Sequence, residues 1–241
     1  HHGARSVAGG GPAAQAYQAA HARLMRAMNK PFTGDPDIDF QIHMAPHHQG
    51  AIDTAQVALR YARDPWTRLI AQSIMIAQQQ EIAQFRLWLA RHGARPPRPA
   101  RPYYVINPAT YPDPEENSSE GGRPEELVRH TWAPGSGVPL VPDHGMGLAP
   151  KHTATQAYKA AHEKMMRAMS VPFTGDPDVD FRTHMIPHHQ GAIDMAKVAL
   201  RHARDPWVRQ AAEAIIVAQG QEIYRFQAWL DRHRRDAASR R

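Results

Sequence analysis

The chain has 241 residues, a net charge of +6 and no cysteine. That length allows one domain or two with a real core, and the missing thiols exclude disulfides, thiolate zinc sites and cysteine nucleophiles. No apolar run is long enough to span a bilayer, and no helix-turn-helix, zinc finger or aromatic RNA-binding signature accompanies the positive charge, so no nucleic-acid partner is expected.

The chain opens on His1-His2 with no visible signal peptide, and these two histidines are given no role. From about Pro12 the pattern turns helical. A first helix is expected over 12–29, with Pro12 near its start and Pro31 ending it. Tyr17, His21, Leu24, Met25 and Met28 share one of its stripes. Pro31-Phe32-Thr33-Gly34-Asp35-Pro36 is turn chemistry, with Asp35 as N-cap and Pro36 at the first helical position.

A second helix is expected over 36–62. It carries His43-Met44-Ala45-Pro46-His47-His48-Gln49-Gly50-Ala51-Ile52-Asp53. On a helix His43 and His47 share a face, and Met44 and His48 form a neighbouring pair. Phe40, Met44, Ala51, Ala55 and Ala58 define its inward direction. The motif histidines therefore point into the bundle, and Asp53 is expected on the opposite side, as a surface or outer group. Pro46 cannot donate to the Ile42 carbonyl and should kink the helix there. Asp64 caps a third helix over 65–91, where Ile70, Ile74, Ala77, Phe85 and Trp88 form the apolar stripe. Glu81 falls within that stripe with Gln78 beside it. A carboxylate on a core face needs a partner, and the motif histidines are the candidates.

From Gly93 to Pro150 the composition shifts to Pro, Gly, Arg and Ser, which reads as a linker. Extended chain is expected around Tyr103–Ile106, and one or two helical turns over Glu125–His130. His144-Gly145-Met146 is read as loop. The helical pattern then returns with an offset of 141. It carries Tyr17 to Tyr158, His21 to His162, His43 to His184, Trp66 to Trp207, Glu81 to Glu222 and Trp88 to Trp229. The fold class is therefore all-α, with two pseudo-symmetric three-helix repeats (residues 12–92 and 151–235) joined by the linker at 93–150.

Neutral imidazole and thioether suit soft or borderline ions, above all Cu(I) and Ag(I), with zinc as the other candidate. The donors in repeat one are His21, Met25, Met28, His43, Met44, His47 and His48, expected to meet within one unit. Repeat two offers His162, Met166, Met169, His184, Met185, His188, His189 and Met195. Glu81 and Glu222 would hold ring N–H groups from outside the ligand set. Met195 replaces Thr54 and Met165 replaces Leu24, so repeat two is expected to bind the softer ion more tightly. Metal ions are the expected partners, no enzymatic role is expected, and a homo-oligomer is compatible with the reading.

The core Met44-Ala45-Pro46-His47-His48-Gln49-Gly50-Ala51-Ile52, repeated at Met185–Ile193, resembles the domain-of-unknown-function family numbered 305. So do Gln78, Glu81, Ile82, Trp88 and Leu89, repeated as Gln219, Glu222, Ile223, Trp229 and Leu230. Thr54 departs from the family's Met, and the tandem arrangement departs from its common single-domain form. The resemblance implies a ferritin-like helical bundle, exported to the periplasm or secreted, with copper or silver tolerance as a role of some members. Two other readings stand beside it. One is a metal-free interaction module with a buried His–Glu network. The other is a zinc-binding or di-iron ferritin-like protein, which in its di-iron form needs the Glu-x-x-His pattern that this chain lacks.

Overall fold

A computed structural model describes residues 10–94, 100–101 and 151–241 of the chain, with side chains from residue 153 in the third stretch. The expectations for Tyr103–Ile106, Glu125–His130 and His144–Met146 lie outside these residues. The described residues form six helices and no strand. These are α1 (Pro12–Ala27), α2 (Pro36–Tyr61), α3 (Pro65–Arg91), α4 (Lys151–Ala168), α5 (Pro177–His202) and α6 (Pro206–Ser239). No helix among them is long and apolar enough to cross a membrane.

The helix starts follow directly from local chemistry. Asp35, Asp64, Asp176 and Asp205 each accept two backbone N–H bonds at the head of a helix whose first residue is proline. Such a cap is worth about 1 kcal/mol, and proline at that position loses no hydrogen bond. Before α2 and α5 the chain turns through Gly34 and Gly175, both at φ 91°. The buried carboxylates of Asp39 and Asp180 close these turns by accepting from Thr33 and Gly34, and from Thr174 and Gly175. Pro46 and Pro187 are accommodated inside continuous helices.

In the packing, α2 lies against α1 and α3, α5 lies against α4 and α6, and α2 and α5 pack on each other. The core contains two edge-on aromatic pairs, Phe40 with Phe85 at 6.0 Å and Phe181 with Phe226 at 5.7 Å between ring centroids. Truncating any of these rings to alanine should cost about 3–5 kcal/mol.

The two helical halves are also tied by polar bonds that cross between them. Tyr17 Oη donates to the Pro177 carbonyl and Tyr158 Oη to the Pro36 carbonyl, both at 2.8 Å. Asp178 accepts from the backbone N–H groups of Arg63 and Asp64, and Asp37 from those of Arg204 and Asp205. Each half thus holds the chain entering the third helix of the other. These bonds fix where α2 meets α5, and so where the histidines meet.

Candidate metal centre

Four histidines meet where α2 packs on α5. His47 and His188 lie face to face, with ring centroids 3.8 Å apart and planes tilted by 32°. His48 is 6.4 Å from His47, and His189 is 6.3 Å from His188. All four are buried. The i, i+1 pair on each helix explains the arrangement. Successive residues diverge by about 100°, so one ring of each pair faces the opposite helix while the other turns toward α3 or α6.

The outer rings meet carboxylates. His189 Nε2 is hydrogen-bonded to Glu222 Oε2 at 2.5 Å. With Glu222 as a carboxylate, which only accepts, His189 Nε2 is the donor. Its Nδ1 has no hydrogen-bond partner. His48 Nε2 stands 3.2 Å from Glu81 Oε2, but the groups are misaligned and no hydrogen bond forms. Phe85 and Phe226 back these rings at 5.5 and 5.6 Å.

The inner rings have no such partner. Both ring nitrogens of His47 and both of His188 are buried without a side-chain hydrogen bond, and each ring lies close to the backbone of the other histidine. Burial is the main cause holding their pKa values well below the ordinary imidazole range. The neighbouring histidines push in the same direction, since protonating one ring penalises charge on the others. The pair is therefore neutral at physiological pH, the form in which imidazole can donate to a metal.

His43 and His184 lie one turn earlier. They stack on Phe32 and Phe173, at 4.0 and 3.9 Å. Burial lowers each pKa to about 4, against the opposing pull of Asp39 and Asp180. The Nε2 of each is unpartnered. His21 and His162 are both half-buried. His21 acts on the charge of His184 and His188, and His162 on that of His43, so each also reaches the motif of the other half. The physical reason is the crossing of the halves, which brings α1 against α5 as well as α2, and α4 against α2.

The thioethers divide between two places. Met44, Met185 and Met195 are buried in the main core. Leu24, Met28, Met165 and Met169 form a separate apolar cluster, with Met166 packed against it. Met25, Met28, Met166 and His162 also line a cleft of about 1020 Å³, with Phe32 and the Lys30 and Lys159 side chains at the same opening. Soft donors thus reach the surface at one end of α1 and α4.

Asp53 requires a correction. It is buried, not on an outer surface, because the chain beyond α3 returns across it. Arg101 forms an ion pair with its carboxylate, and Gln49 donates to it at 3.0 Å. Arg23 approaches at 3.5 Å. Nothing in the helical pattern alone reveals that cover. Asp194, its counterpart, is half-buried and is met by Lys164 at 3.1 Å.

Among the described residues no three side chains of His, Asp or Glu stand close enough together to hold one ion. Glu81 and Glu222 sit with their own histidines, so no carboxylate-bridged pair is formed. What the geometry offers is a central imidazole pair, flanked by two imidazoles, with negative charge one step further out.

The family model described as Domain of unknown function (DUF305) matches residues 37–230, most of the chain and both histidine motifs. The chain belongs to this family. It is also similar, at 39% identity over 54 residues, to the uncharacterized protein L153 of Acanthamoeba polyphaga mimivirus. That match takes in 22% of this chain and 36% of the relative, so the chain spans about a third of that protein's length. Among solved structures it is similar to CopM in the Cu(I)-bound form, at 22% identity and a TM-score of 0.47, over 81% of this chain and 96% of that one. It is likewise similar to a DUF305 fragment from Deinococcus radiodurans, at 24% identity and a TM-score of 0.45, over 82% of this chain and 96% of that one.

Proposed function

We propose that this protein binds and sequesters Cu(I), and Ag(I) by the same chemistry, at the histidines between its two halves. In this reading the halves are pseudo-symmetric three-helix repeats of a ferritin-like bundle. The protein acts in metal homeostasis or tolerance, without catalysis, after export to the periplasm or secretion. One observation carries the reading. His47 and His188, one from each half, are packed ring to ring in the core with no side-chain hydrogen bond to any of the four ring nitrogens. An unpaired buried polar group costs about 1–3 kcal/mol, and a metal ion would offset that cost here.

The donor set selects the ion. Neutral imidazoles and thioethers favour Cu(I) over hard divalent ions. A monovalent ion also brings less charge into a buried site, and Glu81 and Glu222 balance it from behind the rings. Zinc and di-iron sites need three or more imidazole or carboxylate ligands around each ion, a set the described residues do not assemble. The Met25, Met28, Met166 and His162 cleft supplies soft donors at the surface, and Phe32, which also lines it, stacks on His43.

A metal-free reading has its own support. The short His189–Glu222 hydrogen bond is what a structural polar network would contain. Anaerobic titration with Cu(I) against a competing chelator separates the two, comparing wild type with His47→Ala/His188→Ala. The double variant should bind at least tenfold more weakly, about 1.4 kcal/mol. Equal binding would move the metal to the methionine cleft. No binding by wild type, with no rise in melting temperature on adding metal, would leave the network reading.

A further inference from the structure

The two repeats are not equally decorated, and one difference builds a groove that the metal chemistry does not use. It lies at the outer faces of α3 and α6 and encloses about 440 Å³, within the usual range for small-molecule sites. Trp66 and Trp229 supply half-buried indole surfaces, and the Tyr224 ring is 77% exposed. Arg225 and Arg232 are exposed at its edge, and Arg182 lines its inner side.

Arg182 is the unusual member. It is 2% exposed. Its guanidinium carbon lies 3.7 Å from the centroid of the Trp229 ring. One terminal nitrogen donates to Thr67 Oγ1 at 2.6 Å and to the Asp178 carbonyl at 3.0 Å. Its Nε is buried and has no hydrogen-bond partner. Asp64 and Asp178 lie near enough to act on its charge, but the bonds their oxygens accept come from other donors. Asp178 holds the backbone of Arg63 and Asp64, and Asp64 accepts from Trp66 and Thr67 N–H and from Trp229 Nε1. A buried guanidinium with a free donor, beside aromatic faces and two more arginines, has the chemistry to take a planar anion.

The other repeat shows that these residues are not demanded by the fold. With the offset of 141, Arg182 stands where Gln41 does, Tyr224 where Ala83 does, and Arg225 where Gln84 does. The same helical scaffold is built without them. We propose that the groove lined by Trp66, Arg182, Tyr224, Arg225, Trp229 and Arg232 is a binding site for a small aromatic carboxylate. The ring lies among the indoles and Tyr224, and the carboxylate is held by the arginines.

The test uses the full chain and 2-naphthoate, with neutral 2-naphthylmethanol as control. Indole N–H signals of Trp66 and Trp229 are followed in ¹H–¹⁵N spectra, with Trp88 and Trp207 as internal references. The expected result is a saturable shift confined to Trp66 and Trp229, with the alcohol binding at least tenfold more weakly. Arg182→Gln, the residue already used at position 41, should weaken 2-naphthoate at least tenfold. Arg225→Gln, at the exposed edge, should weaken it several-fold without touching the core, and it decides the matter if Arg182→Gln fails to fold. Equal binding of acid and alcohol, no saturable shift, or full affinity in Arg225→Gln or in a folded Arg182→Gln would overturn the proposal. So would shifts of the same signals that follow protein concentration alone, which would assign the groove to a second copy of the chain.

Discussion

His47 and His188 are 141 residues apart in sequence and 3.8 Å apart between ring centroids. Neither half of the chain contains this pair by itself. A metal held there would tie the two halves together, so its loss would loosen them.

The folded protein should lose stability in mild acid. His43 and His184 have pKa values of about 4 in the folded state, lowered by burial, against about 6.5 when unfolded. The unfolded chain therefore binds more protons between pH 6.5 and 4, and stability falls as pH drops through that window. Each residue contributes on the order of 3 kcal/mol by pH 4, and the lowered values of His47 and His188 act in the same direction. Urea midpoints of the metal-free protein should drop steeply from pH 7 to pH 5. A midpoint unchanged over that range would contradict the burial of neutral histidines.

The two outer carboxylates should behave differently. Glu222→Ala removes a formed hydrogen bond and leaves His189 Nε2 buried and unpaired, a cost of about 1–3 kcal/mol. Glu81→Ala removes a misaligned contact and should cost less. Chemical denaturation of both variants measures the order, and a larger loss for Glu81→Ala would be the wrong one.

Gly50 and Gly191 are equivalent in sequence but not in what surrounds them. A Cβ on Gly191 would meet Met165 along its side chain, with the sulfur at 2.5 Å, Cγ at 2.7 Å and Cβ at 3.0 Å. On Gly50 it would meet Leu24 Cδ1 at 2.8 Å and His188 Nε2 at 3.3 Å. Alanine gains about 1 kcal/mol of helix propensity over glycine at either site. Gly191→Ala should therefore be the more destabilising of the two, and Gly50→Ala should move the end of Leu24 and press on His188 by a few tenths of an ångström. Cu(I) affinity ought to fall several-fold in Gly50→Ala and hold in Gly191→Ala. Equal affinities would count against a metal held at His188 Nε2.

The crossing bonds of Asp37 and Asp178 make a paired prediction. Each carboxylate satisfies two backbone N–H groups of the other half. Asp37→Ala and Asp178→Ala should each cost about 1–3 kcal/mol. Asp178, the more buried of the two, should cost more. Thermal unfolding of the single and double variants would expose the alternative, in which the halves melt separately and the losses stay local.

Much of this architecture is written in local chemistry. Asp-Pro dipeptides mark four helix starts, and α3 has the bounds its periodicity suggests. A carboxylate on a core stripe, Glu81, points to a buried polar partner, and His48 is beside it. What local pattern does not contain is the way the halves cross. The coupling of His21 with His184 and of His162 with His43 depends on helices brought together by long-range packing. The burial of Asp53 depends on Arg101, 48 residues later. The bonds from Tyr17 to Pro177 and from Asp178 to Arg63 likewise join positions more than 100 residues apart. The aromatic groove between α3 and α6 rests on residues at 182, 224 and 225 that differ from their counterparts at 41, 83 and 84 and that periodicity treats as ordinary surface or stripe positions.

The most direct test of the metal centre is a long-range ¹H–¹⁵N spectrum of the histidine rings during anaerobic addition of Cu(I). The ring nitrogens of His47 and His188 should move together and first, at up to one equivalent. The exposed rings of His92 and His233 should stay in place. Early shifts of the exposed histidines, with His47 and His188 unmoved at saturation, would contradict a metal centre between the two halves.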